Sequence, residues 1–224
     1  MDGAVANMPN SSQSTSELVR EIIEGDGVIR NGLARKLINE RAVARYIQTT
    51  THVAYSFQAI LGAIRRYPIK ESALTYQRVG KFVQKLAMKN EIVRVLVQNE
   101  ADIPLVLARF SEKVDYGRGD TFHLITGIDT VSVLIDSKNL DRLLGALPKR
   151  SVRGVVKNLA ELIVLMSEEA TLTKGALAAI SSQLTVNDVN IHDFLHCAPH
   201  AIIVFEEKDA LKAYKAIEDL AKRR

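Results

Sequence analysis

Residues 167–175 hold the first group of side chains able to bind a small molecule. They read Ser167-Glu-Glu-Ala-Thr-Leu-Thr-Lys-Gly175 and run straight into an apolar stretch, Ala176-Leu-Ala-Ala-Ile-Ser-Ser-Gln-Leu184. If that stretch is a helix, Lys174 and Gly175 sit at its amino end, where the first amides lack partners and carry partial positive charge. A carboxylate suits such a corner, and Gly175 lets it come close to the backbone. Thr171 and Thr173 add hydroxyls that donate or accept. Glu168 and Glu169 either hold an ammonium group or are simply hydrated. Further on, Asn190 and Ile191 open the next strand pattern, and one amide side chain can accept from an ammonium and donate to a carboxylate. The set expected to bind a ligand is therefore Glu169, Thr171, Thr173, Lys174, Gly175, Asn190 and Ile191.

Two other groups invite chemistry. His192, His196, Cys197 and His200 fall within nine residues, and such side chains can ligate zinc or copper. On a strand, His192 and His196 would share a face with Phe194 between them. That spacing differs from that of zinc-finger pairs and no cysteine pair exists, so no metal is expected. Arg41, Arg45 and Gln48 repeat at helical spacing, and Arg65-Arg66 follows on a later helix. These either meet DNA, with Arg65 and Arg66 on phosphate, or pair with nearby acids. The sequence has no glycine-rich phosphate loop, no Gly-x-Ser-x-Gly elbow and no dinucleotide fingerprint. Neither a cofactor nor enzymatic activity is expected.

These residues need elements to hold them. Residues 1–15 are small and polar, the composition of a flexible tail. Ser16 is placed to cap a helix from Glu17, which Gly25-Asp26-Gly27 stops. Further helices are predicted over 28–37, 41–48 and 53–66, the last ending before Tyr67-Pro68, and over Glu71–Met88. Then the period changes. Ile92–Val97 reads as a strand, Pro104–Val114 as a helix, Thr121–Thr126 and Thr130–Ile135 as strands, and Leu140–Leu147 as a helix. That βαββα order recurs over residues 161–219, so the chain holds two copies of one unit about seventy residues apart. Val152–Val156 can supply the fourth strand of the first copy. The second copy has none of its own. It borrows an edge from 152–156, borrows one from a partner chain, or leaves it open.

The order and loop of residues 161–219 resemble the ACT domain, a small-molecule sensing module on a ferredoxin-like sheet. The resemblance implies an effector site at the loop 167–175, where Lys174 replaces the proline common before the glycine, and at Asn190. In the first copy the equivalent loop, Asn99–Pro104, has no glycine, which makes that copy a structural partner. The wider layout, with Leu37-Ile-Asn, Arg41-Ala-Val-Ala-Arg-Tyr-Ile47 and Ala63-Ile-Arg-Arg-Tyr67 ahead of the ACT unit, is similar to a group of archaeal predicted regulators of amino acid metabolism. The fold so implied is α+β: a helical, helix-turn-helix-like bundle followed by tandem ferredoxin-like ACT-type units with antiparallel sheets. The divisions expected are a tail (1–15), a helical domain (16–88), a degenerate first ACT-like unit (90–157) and a second ACT domain (158–224). The function so implied is regulation, with an amino acid effector, self-association, and DNA or a metabolic enzyme as target. The alternative is a ligand-free module that dimerises or docks on an enzyme.

Charge and composition set the remaining bounds. Of the net +4, residues 1–89 carry +6 and residues 90–224 carry −2, which places any anionic partner at the amino-terminal half. No apolar run reaches the ~18 residues a membrane span needs. The first ten residues lack the basic-then-apolar order of a secretion signal. One cysteine allows no internal disulfide and fits a reducing cytoplasm.

Overall fold

A computed structural model describes residues 13–51, 55–68 and 79–222. The chain divides into two compact units, Met1–Ala73 and Leu74–Arg224.

In the amino-terminal unit, α1 (Thr15–Gly25), α2 (Gly27–Ala34), α3 (Glu40–Thr51) and α4 (Phe57–Arg66) surround a core that includes Val19, Ile23, Val43, Ile47, Ile60 and Ile64. Polar caps set the helix starts. Ser14, not Ser16, caps α1, because Ser14 and Glu17 close a reciprocal capping box. Asp26 ends α1 and accepts from the amides of Val28 and Ile29 to begin α2. The turn into α3 contains no glycine; Lys36 takes the left-handed conformation there, with φ 56°. The helix expected from residue 53 starts at Phe57, since Ser56 caps it through the Ala59 amide. Residues 53 and 54, like the tail over 1–12, lie outside the described residues.

The helix expected over Glu71–Met88 is corrected in its second half. Residues 71–78 lie outside the described residues, and Val83–Gln98 is one long strand, β1. Lys85, Leu86, Ala87 and Met88 are good helix formers, but cross-strand pairing to Leu162–Leu165 overrides that propensity. After β1 come α5 (Ile103–Ser111), β2 (Phe122–Thr126), β3 (Thr130–Asp136), α6 (Leu140–Ala146) and β4 (Val152–Met166). The second repeat continues with α7 (Glu168–Leu172), α8 (Ala176–Val186), β5 (Ile191–Cys197), β6 (His200–Glu206) and α9 (Ala210–Lys222). The short α7 occupies what was expected to be loop.

All pairings are antiparallel, in the order β2-β3-β1-β4-β6-β5. The long strands β1 and β4 each serve both repeats. The second half of β1 opens the first copy and the first half of β4 completes it, pairing Val95 with Val155 and Val97 with Val152. The second half of β4 opens the second copy, and the first half of β1 completes that one, pairing Leu86 with Val164 and Met88 with Leu162. The missing edge thus comes from residues 83–89 of the same chain, a source the sequence reading did not include. Each long strand changes copy at a left-handed residue, Glu91 (φ 58°) and Asn158 (φ 57°). An irregular register between Lys89 and Ile92 marks the crossing.

One face of each copy carries its helices. Val93, Val95, Val97, Val131 and Ile135 pack with α5 and α6, while Leu162, Val164, Ile203 and Phe205 pack with α8 and α9. The helix-free faces turn toward each other. Arg94 on β1 holds Asp193 on β5 at 3.0 Å, and His123 on β2 lies 3.2 Å from Glu161 on β4. In a flat sheet such strands, three places apart, would be about 14 Å from each other. The sheet therefore curls over a small inner core of Ile92, Leu134, Leu159 and Val204.

Candidate functional site

The turn before α8 has the backbone the sequence suggested. Gly175 stands at φ 85° as the residue preceding the helix, where a side chain would be strained. Its surroundings are less open than expected. The Thr171 hydroxyl donates to the Glu168 carbonyl at 2.7 Å, and the Thr173 hydroxyl to the Glu169 carbonyl at 2.8 Å. Both hydroxyl protons are thereby committed to the turn of α7. The Ala176 amide donates to the Thr173 carbonyl at 3.2 Å. Lys174 and Glu169 are exposed.

Asn190 and Ile191 lie at the other end of α8. That helix has 11 residues, a length of about 16 Å, with Gly175 at its start and Asn190 four residues past its end. The structure therefore brings Glu169, Thr171, Thr173, Lys174 and Gly175 together, and places Asn190 with Ile191 elsewhere.

Where it places them is an open cleft of about 560 Å³, floored by Val189 and Ile191. Its polar lining is Thr185, Asp188, Asn190, Glu206, Lys208, Asp209 and Lys212. Lys208 pairs with Glu206, and Lys212 pairs with Asp209 at 2.9 Å. Asn190 is exposed. Of these lining residues, Asn190 and Ile191 were in the set expected from the sequence, and Glu206, Lys208, Asp209 and Lys212 were not. A signal was there: Asp136-Ser-Lys-Asn139 in the first repeat matches Glu206-Glu-Lys-Asp209 in the second.

Strand register makes that match structural. Asp136 pairs with Ile92 as Glu206 pairs with Leu159, and His123 pairs with Leu134 as Asp193 pairs with Val204. A single 3₁₀ turn follows each, Ser137–Asn139 and Glu207–Asp209. In the first copy this corner is closed by the chain's own carboxylate. Asp120, just before β2, takes Lys138 Nζ at 2.5 Å and Asn139 Nδ2 at 3.0 Å, and its side chain is 6% exposed. Those hydrogen bonds, from Lys138 first and Asn139 second, hold the Asp120 carboxyl down at about 2. Asp136 is likewise engaged, by the Thr121 amide at 2.7 Å and by Lys89 at 2.6 Å.

The residues expected to meet nucleic acid divide. Arg41 and Arg45 are exposed one turn apart on α3, and Arg66 is exposed at the end of α4. Gln48 donates to the Tyr55 carbonyl at 3.3 Å, and Arg65 pairs with Glu40 at 3.1 Å. Among the described residues no group of three or more His, Cys, Asp or Glu side chains is arranged to hold a metal ion, and no helix is long and apolar enough to cross a membrane. Cys197 is exposed.

No protein-family model and no curated protein matches the sequence. Solved structures do match in fold. The regulatory subunit of aspartate kinase from Thermus thermophilus, in a ligand-free form, superposes with a TM-score of 0.51 at 13% identity, over 62% of this chain and 98% of that one. The allosteric aspartate kinase of Clostridium acetobutylicum gives 0.52 at 21% identity over 62% of this chain, which spans 35% of that enzyme. The Synechocystis aspartate kinase gives 0.53 at 14% identity, over 64% of this chain and 27% of that one. At such identities the likeness is one of fold, an antiparallel ferredoxin-like arrangement of the ACT type.

Proposed function

We propose that this chain is a ligand-responsive regulator of amino acid metabolism. Its carboxy-terminal unit senses a small amino acid, and its helical unit conveys the response. The observation that carries this reading is a likeness of extent as well as fold: the matched span covers nearly the whole of a regulatory subunit and about a third of a complete kinase. The absence of a catalytic motif from the sequence fits the same reading, and the exposed thiol of Cys197 suits a reducing cytoplasm. Binding coupled to a second site in this way amounts to about 1–3 kcal/mol. Calorimetric titration of the full chain with each of the twenty standard amino acids tests the claim. At least one binds, and silence from all of them at millimolar concentration removes it.

The target of the response is DNA or a metabolic enzyme. Arg41, Arg45 and Arg66 supply exposed positive charge for the first. A gel shift that weakens with salt, and weakens further with Arg41→Ala plus Arg45→Ala, supports a DNA target; affinity unaltered by that pair refutes it.

A second reading, an assembly module without ligand, is favoured by the sheet edges. Among the described residues β2 and β5 each have one neighbouring strand, and an open edge invites a strand from another copy. A thermal-shift screen separates the two readings, since a bound effector raises the melting temperature with its occupancy.

A further inference from the structure

We infer that the cleft at the carboxyl end of α8 is the effector site, and that it takes a free α-amino acid as a zwitterion, the carboxylate on Lys208 and Asn190 and the ammonium on Glu206 and Asp209. This rests on the reading that the carboxy-terminal unit senses an amino acid, and it moves the site away from the Gly175 turn.

The internal repeat supplies the argument. At the corresponding corner of the first copy, a carboxylate from the segment before β2 lies on Lys138 and Asn139. Lys208 and Asp209 hold those two places in the second copy, by register and by the matching 3₁₀ turn. There the segment before β5 presents Val189, which turns inward, and Asn190, an exposed neutral amide. The carboxylate of that segment, Asp188, lines the cleft and adds to the negative charge around Lys208 without pairing with it, and Lys208 folds back on Glu206 instead. What the first copy fills with Asp120, the second leaves as a cleft of about 560 Å³. That volume lies within the range of small-molecule sites, ~300–1,000 Å³.

Charge selects the class of ligand. The lining holds two cations, Lys208 and Lys212, and three acids, Asp188, Glu206 and Asp209. A simple anion such as phosphate would meet an excess of negative charge, and a simple cation would have to displace Lys208 and Lys212 from the acids that hold them. A zwitterion exchanges with the existing pairs in kind: its carboxylate replaces Glu206 on Lys208, and its ammonium takes the acid so released. The Lys208–Glu206 pair is well exposed, with side chains 73% and 43% accessible. Such pairs contribute little, so parting them costs little. Asn190 adds an oxygen for the ammonium and an N–H for the carboxylate. At the Gly175 turn, by contrast, the threonine hydroxyls and the Ala176 amide are already bonded.

The test uses the full chain and the twenty standard L-amino acids, each titrated singly by calorimetry. The strongest binder is then titrated into Lys208→Gln, Lys208→Arg and Asn190→Ala, with unliganded melting temperature and circular dichroism as folding controls. The inference expects Lys208→Gln and Asn190→Ala to weaken binding about tenfold or more, the loss of one charge-assisted hydrogen bond, and Lys208→Arg to restore most of it. It also expects the N-acetyl and carboxamide derivatives of that amino acid to bind far more weakly than the free form. Binding lost in Lys174→Gln but retained in both cleft variants would overturn the cleft and leave the sensing reading standing. A blocked derivative that binds as well as the free amino acid would overturn the zwitterion. Failure of all twenty to bind would sink the sensing reading itself.

Discussion

Asp120 shows how much one side chain can decide. Its carboxylate is nearly enclosed, and its hydrogen bonds to Lys138 and Asn139 keep it ionised down to about 2. An ordinary aspartate titrates at about 3.9. A group depressed in this way contributes stability that is complete above its unfolded value and is lost as the pH falls through its folded one. The melting temperature is therefore expected to fall between pH ~4 and ~2, with a shallower fall in Asp120→Asn; equal slopes in thermal melts of the two proteins would contradict this. The same scale shows what the sequence could disclose. Asn190 drew notice in the sequence because an amide before a strand pattern stands out. Lys208 and Asp209 drew no notice, because an acid and a lysine in a Glu-Glu-Lys-Asp run look like hydrated surface until the repeat register places them where Lys138 and Asn139 stand in the first copy. Thr171 and Thr173 had the right chemistry for a ligand, but local carbonyls took their protons, a competition that residue type alone does not reveal.

At the scale of elements, the strongly patterned pieces were readable. The β-branched run Ile92–Val97, the two hairpins and the repeated βαββα order all correspond to observed strands and helices. The first half of β1 was not readable, since helix formers fill it and its partner, β4, comes more than seventy residues later. Two substitutions test the packing there. Phe205 is fully buried between the sheet and its helices, so Phe205→Ala should cost about 3–5 kcal/mol in urea unfolding. Gly80 lies against the end of α9; a Cβ on it would meet the Leu220 carbonyl oxygen at 2.1 Å. Backbone cannot yield as a flexible side chain does, so Gly80→Ala should destabilise by about 1–3 kcal/mol. A neutral result would mean that α9 does not end where the structure puts it.

At the scale of the molecule, each of β1 and β4 belongs to both repeats, so neither copy is complete without the other. The two copies should therefore unfold as one cooperative transition, and calorimetric and van't Hoff enthalpies for residues 74–224 should agree; separate transitions for the two copies would contradict the shared strands. The most direct measurement of the sensing claim is a ¹⁵N-resolved NMR titration of the full chain with the standard amino acids. The account predicts that at least one of them shifts the amides of Asp188–Ile191 and Glu206–Lys212 saturably, ahead of those at Thr173–Ala176. Spectra that no amino acid changes would contradict it.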